Sequence, residues 1–375
     1  MLQNSGGSTT GLRHKGESSP LSGDALRASA GRPAVSVIIP AFNAQGTISE
    51  TLASVLRQTW VDFEVIVVDD GSTDRTAEIA GQLALKDSRI RVLWQRHLGA
   101  AEARNRGIRE ANGGWIAPLD ADDVWTPDCL ESNLRQAHAA SDQVAVVYSW
   151  STRIDVEGLS LPGVSAASIR GKVLSTLICH NFIGNASCTL IRRSALESVG
   201  AYQQRFFPTD DWDLYVRLAE RYEFVPTQRF LVRYRQRPQS VSTNQESMAG
   251  GQARMLQEIR RRNTRVPAWL CDLSQSNLYV YFARRNCDCG DVAAMRQWLR
   301  RAARVHWFAM VRPGVWWLWV FGARRTGARP ALAPSSSRRS LELLSQLIGS
   351  TLLHLSLRLG RYEVPSGETR RYSSR

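Results

Sequence analysis

The chain has 375 residues, 43% apolar and 22% charged, a balance that fits one or two folded domains with extensions and excludes a fibrous or wholly disordered chain. Six cysteines are too few and too scattered for a disulfide framework, and the one close pair, Cys287 and Cys289, has no companions at zinc spacing. The formal charge of +14 is unevenly placed: residues 251–375 hold 22 Arg against 7 Asp plus Glu, which leaves the first 250 residues near neutral.

The first 34 residues are rich in Ser, Gly and charge, contain no apolar segment of signal-peptide type, and read as a disordered tail. "VSVII" (35–39) is a short apolar β-branched run, a buried strand ended by Pro40. "GTISETLASVLRQ" (46–58) sets Ile48, Leu52, Val55 and Leu56 on one helical face. "DFEVIVVDD" (62–70) is a second strand, apolar on both faces, as in a parallel sheet covered by helices. Asp74 caps a helix running to about Leu85. A third strand (89–95), a helix over 99–113 and a fourth strand, "WIAPLD", follow. The next helix takes Thr126 as cap and Pro127 as first residue. Four strand–helix alternations predict a doubly wound, mainly parallel α/β sheet, with ligands bound beyond the carboxyl ends of the strands.

Three unusual loops fall at those ends: "PAFNAQ", "DDGSTD" and "DADD". No G-x-G-x-x-G follows the first strand, which disfavours a dinucleotide site. Asp120 and Asp122, one residue apart at a strand end, can share a hard divalent ion that relieves their repulsion. Taken alone the same aspartates fit a solvated or helix-capping turn. Asp70 can accept hydrogen bonds from a base or ribose, or close an Asx turn with Gly71 and Ser72. Asp210, Asp211 and Asp213 crowd a helix start, where dipole complementation explains one or two acids better than three. A carboxylate there can also serve as a general base.

"PAFN", "VVDDGSTD", "GAAEARNRGI", "LDADD" and "DDWDLYVRLA" occur in this order over about 35–242, somewhat over half the chain. In this the chain resembles the glycosyltransferase family 2 proteins. The resemblance implies a GT-A fold over 35–245 and inverting transfer of a sugar from a nucleotide-diphospho-sugar, a UDP-sugar first. It implies that Pro40, Phe42 and Asn43 surround base and ribose, that Asp70 contacts the base, and that Arg104 and Asn105 lie on the nucleotide side of the cleft. It further implies that Asp122 holds Mg²⁺ or Mn²⁺, that Asp120 supports the ribose or the metal's water, and that Asp211 is the base. Two positions depart from the family pattern. Asp210 stands where glutamate is usual, and Arg237, in "YRQRPQSVS", stands where many relatives carry His. Arginine ligates no metal, but its planar fork suits the donor diphosphate.

The resulting expectation is a cytoplasmic, metal-dependent glycosyltransferase of polysaccharide or glycolipid synthesis acting on a carbohydrate or lipid-linked acceptor. A nucleotidyl- or phosphoryl-transfer enzyme could use the same D-x-D ion, although the basic Gly-rich phosphate loop usual in such enzymes is absent. A nucleic-acid-binding protein would rest on the C-terminal arginines alone, and no nucleic acid is expected. The basic region 251–375 reads as helical and Trp-rich, with Trp298, Trp307, Trp316, Trp317 and Trp319 close together and a leucine stripe over 340–359. It contains no uninterrupted spanning segment. Peripheral contact with a membrane is one expectation for it, and packing on the catalytic domain is the other.

Overall fold

A computed structural model describes residues 32–237 and 243–306 of the protein. The leucine stripe of 340–359 and all but the first of the five tryptophans named above lie outside the described residues, as does nearly all of the N-terminal segment.

The chain alternates from β1 (Val35–Ala41) through α1 (Ile48–Leu56), β2 (Phe63–Asp69), α2 (Thr76–Ala84), β3 (Ile90–Trp94) and α3 (Ala100–Glu110) to β4 (Trp115–Pro118). β1 and β2 are buried along almost their whole length, and β1 pairs in parallel with β2 on one side and β4 on the other. These are the doubly apolar strands that only a helix-covered parallel sheet accommodates. α3 lies across them because Gly107 lets it approach: a Cβ there would stand 2.4 Å from Cγ2 of Ile38.

The second half continues with β5 (Val124–Trp125), α4 (Cys129–Ala139), β6 (Val144–Ile154), β7 (Ser160–Ser165), α5 (Leu174–Cys179), β8 (Thr189–Arg192), α6 (Arg193–Val199), α7 (Asp210–Ala219) and β9 (Glu223–Arg235). The sheet runs β3-β2-β1-β4-β8-β6-β9-β5, with β7 paired to β6. The expectation of a mainly parallel sheet describes its first half. β8 joins β4 and β6 antiparallel, β5 joins β9 antiparallel, and only β6 and β9 are parallel again. The sheet as a whole is therefore mixed, flanked by helices. The helix expected to open at Pro127 begins two residues later, at Cys129. The Thr126 hydroxyl donates to the Asp128 carboxylate (2.9 Å) rather than capping backbone N–H groups.

Beyond residue 244 the chain forms α8 (Gln245–Arg262), α9 (Ala268–Asp288) and α10 (Val292–Val305). α9 and α10 break at Gly290, in the left-handed region at φ +80°. These helices pack on the sheet domain. Gly251 of α8 lies against the carbonyl of Phe206, and Ser274 of α9 donates to the carbonyl of Ile178. A small second core gathers Phe282, Met295, Trp298 and Leu299. The described part of the C-terminal region thus follows the packing expectation, and Trp298 is 4% exposed. No helix among the described residues is long and apolar enough to cross a membrane.

Candidate active site

The carboxyl ends of β1, β2 and β4 lie side by side, so the three singled-out loops share one rim. The loop after β1 is laced to the loop after β2. Asn43, at φ +48°, donates its N–H to Ser72 Oγ (3.0 Å) and accepts from Thr73 N (2.9 Å), while Ala44 N donates to Thr76 Oγ1 (2.7 Å). Thr47 Oγ1 donates to the Ala121 carbonyl and ties the first loop to the D-x-D. Pro40 does not end β1 as expected, since the strand runs on to Ala41 with Pro40 paired to Val68, and Phe42 just beyond it, 45% exposed, stacks on His97 with ring centroids 4.1 Å apart. Such an exposed aromatic pair at a strand end is a platform on which a planar base can lie.

Asp70 is 2% exposed. Its carboxylate accepts from Gln95 Nε2 (2.7 Å), Leu98 N (2.9 Å) and Gly99 N (2.8 Å), and His97 Nδ1 stands 2.9 Å away. Asp70 therefore shapes the 95–99 loop that carries His97. The Asx-type bond to Ser72 N comes instead from Asp69, whose other carboxylate oxygen is buried without a partner.

The "DADD" acids separate into three roles. Asp120 takes a 2.6 Å ion pair from Arg104 Nη2, and Asp122 takes one of 3.0 Å from Arg237 Nε. Asp123 is fully buried, accepting from Ser187 Oγ (2.6 Å) and Arg235 N (2.9 Å). Burial, then the charges of Asp122 and Asp120, push its carboxyl well above the usual range. Asp123 is thus a structural brace between the D-x-D, β9 and residue 187.

The second acid cluster sorts in the same way. Asp213 is fully buried and holds Arg217 (2.7 Å) and Arg262 of α8 (3.2 Å). Arg217 in turn donates to the carbonyls of Val199, Gly200 and Ala201. Asp210 faces Arg104 at 3.5 Å. Asp211 is left over: its Oδ1 accepts from Trp212 N, and burial, then the Asp210 charge, push its carboxyl up to about 7. The three acids exceed what the helix dipole needs because each has a different partner.

Arg104 links the two clusters. Burial works against its charge, but Asp120, Tyr202 and Asp210 more than offset this and raise its pKa. Its guanidinium lies 5.2 Å from the ring centroid of Tyr202. The Asn105 side chain is spent on Tyr202: it donates to the Tyr202 carbonyl and accepts from the Tyr202 N–H, both at 2.8 Å. Tyr202, 3% exposed with its hydroxyl unpartnered, and Asn185, with a buried unpartnered Oδ1, escaped sequence reading. No periodic or spacing signal marks either. Asp123 was visible as an acid, but its burial was not.

Among the described residues no group of three or more His, Cys, Asp or Glu forms an all-protein metal cage. Mg²⁺ and Mn²⁺ do not need one, since they take one or two carboxylates and fill the shell with phosphate oxygens and water. Asp122 fits that pattern. Burial, then the Asp120 charge, raise its carboxyl above the ordinary range, and a nearby cation would offset the Asp120 part of that cost.

Residues 36–200 match the family described as "Glycosyl transferase family 2". The chain is 32% identical over 190 residues to a chondroitin synthase of Escherichia coli. That match covers 50% of this chain and 27% of the relative, so the chain spans only about a quarter of its length. Among solved structures it resembles S. aureus TarS 1-349 in complex with UDP-GlcNAc, with TM-score 0.53 and 19% identity, covering 76% of this chain and 86% of that one. It also resembles the mannosyltransferase PcManGT of Pyrobaculum calidifontis in complex with GDP-Man and Mn²⁺, with TM-score 0.53 and 19% identity over 87% of this chain and 88% of that one. At such identity the structural likeness speaks to the fold, which is GT-A. Sequence match, sheet order and the rim of strand-end loops agree: residues 36–200 form a domain of the glycosyltransferase family 2.

Proposed function

We propose that the protein transfers a sugar from a nucleotide-diphospho-sugar to a hydroxyl acceptor with inversion, in a single displacement. The observation that carries the reading is Asp211. Its carboxyl sits at the start of α7 with an affinity for protons raised to about 7, where a general base is most effective near neutral pH. Asp211 takes the acceptor hydroxyl proton as that oxygen bonds to the anomeric carbon, and the bond from that carbon to the diphosphate oxygen breaks. Arg104 pairs with both Asp120 and Asp210 beside it. Phe42 and His97 receive the base, and Arg237 meets the diphosphate. Asp122, with Asp120 behind it, would hold Mg²⁺ or Mn²⁺, which when bound would supply charge neutralisation to the leaving diphosphate.

The neighbours' ligands, UDP-GlcNAc and GDP-Man, support a nucleotide-sugar donor, and a UDP-sugar is the first to test. The chondroitin synthase likeness supports a role in cell-surface polysaccharide synthesis, with a carbohydrate or lipid-linked acceptor. An exposed stripe of Arg296, Arg300 and Arg304 on α10 suits peripheral contact with an anionic leaflet on the cytoplasmic side.

A panel of nucleotide-sugars, scored by donor hydrolysis and transfer, identifies the donor. On that donor Asp211→Asn should lower kcat by ~10²–10⁴ and leave nucleotide affinity near wild type. An Asp211→Asn protein that turns over normally would remove Asp211 from the chemistry.

A further inference from the structure

We propose that Arg237 is a built-in counter-ion for Asp122 that a divalent cation must displace, so that metal and donor phosphate bind cooperatively. The proposal rests on the reading in which Asp122 holds the cation.

The geometry is direct. Arg237 Nε lies 3.0 Å from Asp122 Oδ2, and its Nη2 donates to Thr47 Oγ1 at 3.2 Å. The guanidinium is therefore tethered at two points, on the D-x-D and on the residue just before α1. The pair is neither fully exposed nor sealed, with side-chain exposures of 35% for Arg237 and 26% for Asp122. Solvent reaches it, so exchange of one cation for another is open.

The charge inventory gives the pair its purpose. Asp120 is neutralised by Arg104, and Asp123 is satisfied by Ser187 and the Arg235 backbone. The Arg235 side chain is engaged by Glu50, the Asp122 carbonyl and the carbonyls of Asp155 and Val156. Arg237 is the arginine whose guanidinium pairs with the Asp122 carboxylate. Without it, two carboxylates one residue apart would stand with a single guanidinium between them. Arginine keeps its charge at any working pH, so no proton loss releases Asp122. A competing cation can release it, and so can an anion that attracts the guanidinium away.

A nucleoside diphosphate is such an anion. Its phosphate oxygens accept the forked guanidinium better than a single carboxylate does, and they complete the metal's shell. Metal alone must expel Arg237 into solvent, whereas metal with diphosphate offers Arg237 a new partner. By linkage, the factor by which diphosphate tightens metal binding equals the factor by which metal tightens diphosphate binding.

The test is Mn²⁺ binding to the full chain by calorimetry and electron paramagnetic resonance, with and without saturating UDP. It compares wild type, Arg237→Ala, Arg237→Gln and Asp122→Asn, each checked for an intact melting transition. Without UDP, both Arg237 variants should bind Mn²⁺ roughly threefold to tenfold more tightly than wild type, the scale of a partly exposed ion pair. With UDP that advantage should vanish or reverse, so the enhancement of Mn²⁺ affinity by UDP shrinks. If the Arg237 variants bind Mn²⁺ without UDP no better than wild type while Asp122→Asn has lost it, the competition is refuted and the metal role stands. If Asp122→Asn binds Mn²⁺ as wild type does, the metal role itself fails, and the proposal with it.

Discussion

Asp211 carries two opposed consequences of one environment. Its carboxyl is pushed up to about 7, chiefly by burial and then by Asp210. As the proposed base it would work ionised, so kcat should climb as pH rises through about 7 and level off above, and Asp211→Asn should abolish that limb of the profile. Stability moves the other way. The folded protein holds this proton more tightly than the unfolded chain, so stability falls as pH rises from the ordinary carboxylate range through about 7. Asp211→Asn should therefore melt a few degrees higher than wild type at pH 8 and show little difference at pH 4, measured by calorimetry at the two pH values. A variant less stable at pH 8 would show Asp211 to be a helix-start residue rather than a strained catalytic one.

At the scale of elements, the alternating first half was legible because its strands are apolar on both faces and its helices carry one clear stripe. β1, β2, α1 and β4 fall where those patterns put them. The antiparallel pairing of β8 and the two-residue strand β5 were not legible, because pairing depends on distant chain and two residues carry no period. The three strand-end loops and the acid cluster opening α7 were legible as a set. The division of labour within each was not, since Asp123 and Asp213 differ from their neighbours only in facing inward toward Ser187 and Arg217. Asn105 was placed by resemblance on the nucleotide side, but its two hydrogen bonds go to Tyr202, a partner 97 positions away. The fit of α3 on the sheet is testable at Gly107. Because a Cβ there would meet Ile38 at 2.4 Å, Gly107→Ala should cost about 1–3 kcal/mol in chemical denaturation without changing the order of donor preference.

Across the whole molecule, residues 245–306 are joined to the sheet domain through charge as well as packing. Arg262 of α8 reaches both Asp213 and Glu220, while Gln252 and Ser274 form a polar knot against the carbonyl of Ile178. Removing α8 would leave Asp213 with one of its two arginines and uncover the segment that leads into α7. A chain stopped at residue 244 should lose its cooperative thermal transition, whereas one ending at 306 should keep it. Circular dichroism melts of the two truncations check this, and a normal melt for the shorter chain would make the helical region an independent appendage.

The two-way bond between Asn105 and Tyr202 also sets where this chain can be cut and rejoined with others. Asn105 lies inside the matched stretch 36–200, and Tyr202 lies just beyond its end. A chimera that swaps the first half of the sheet domain at residue 200 would separate the clamp from the residue it clamps. Arg104 would then lean on a foreign side chain while still spanning Asp120 and Asp210. The unit of exchange defined by these contacts reaches through α7, so a chimera in this fold has to carry the acids that open α7 along with the strand-end loops.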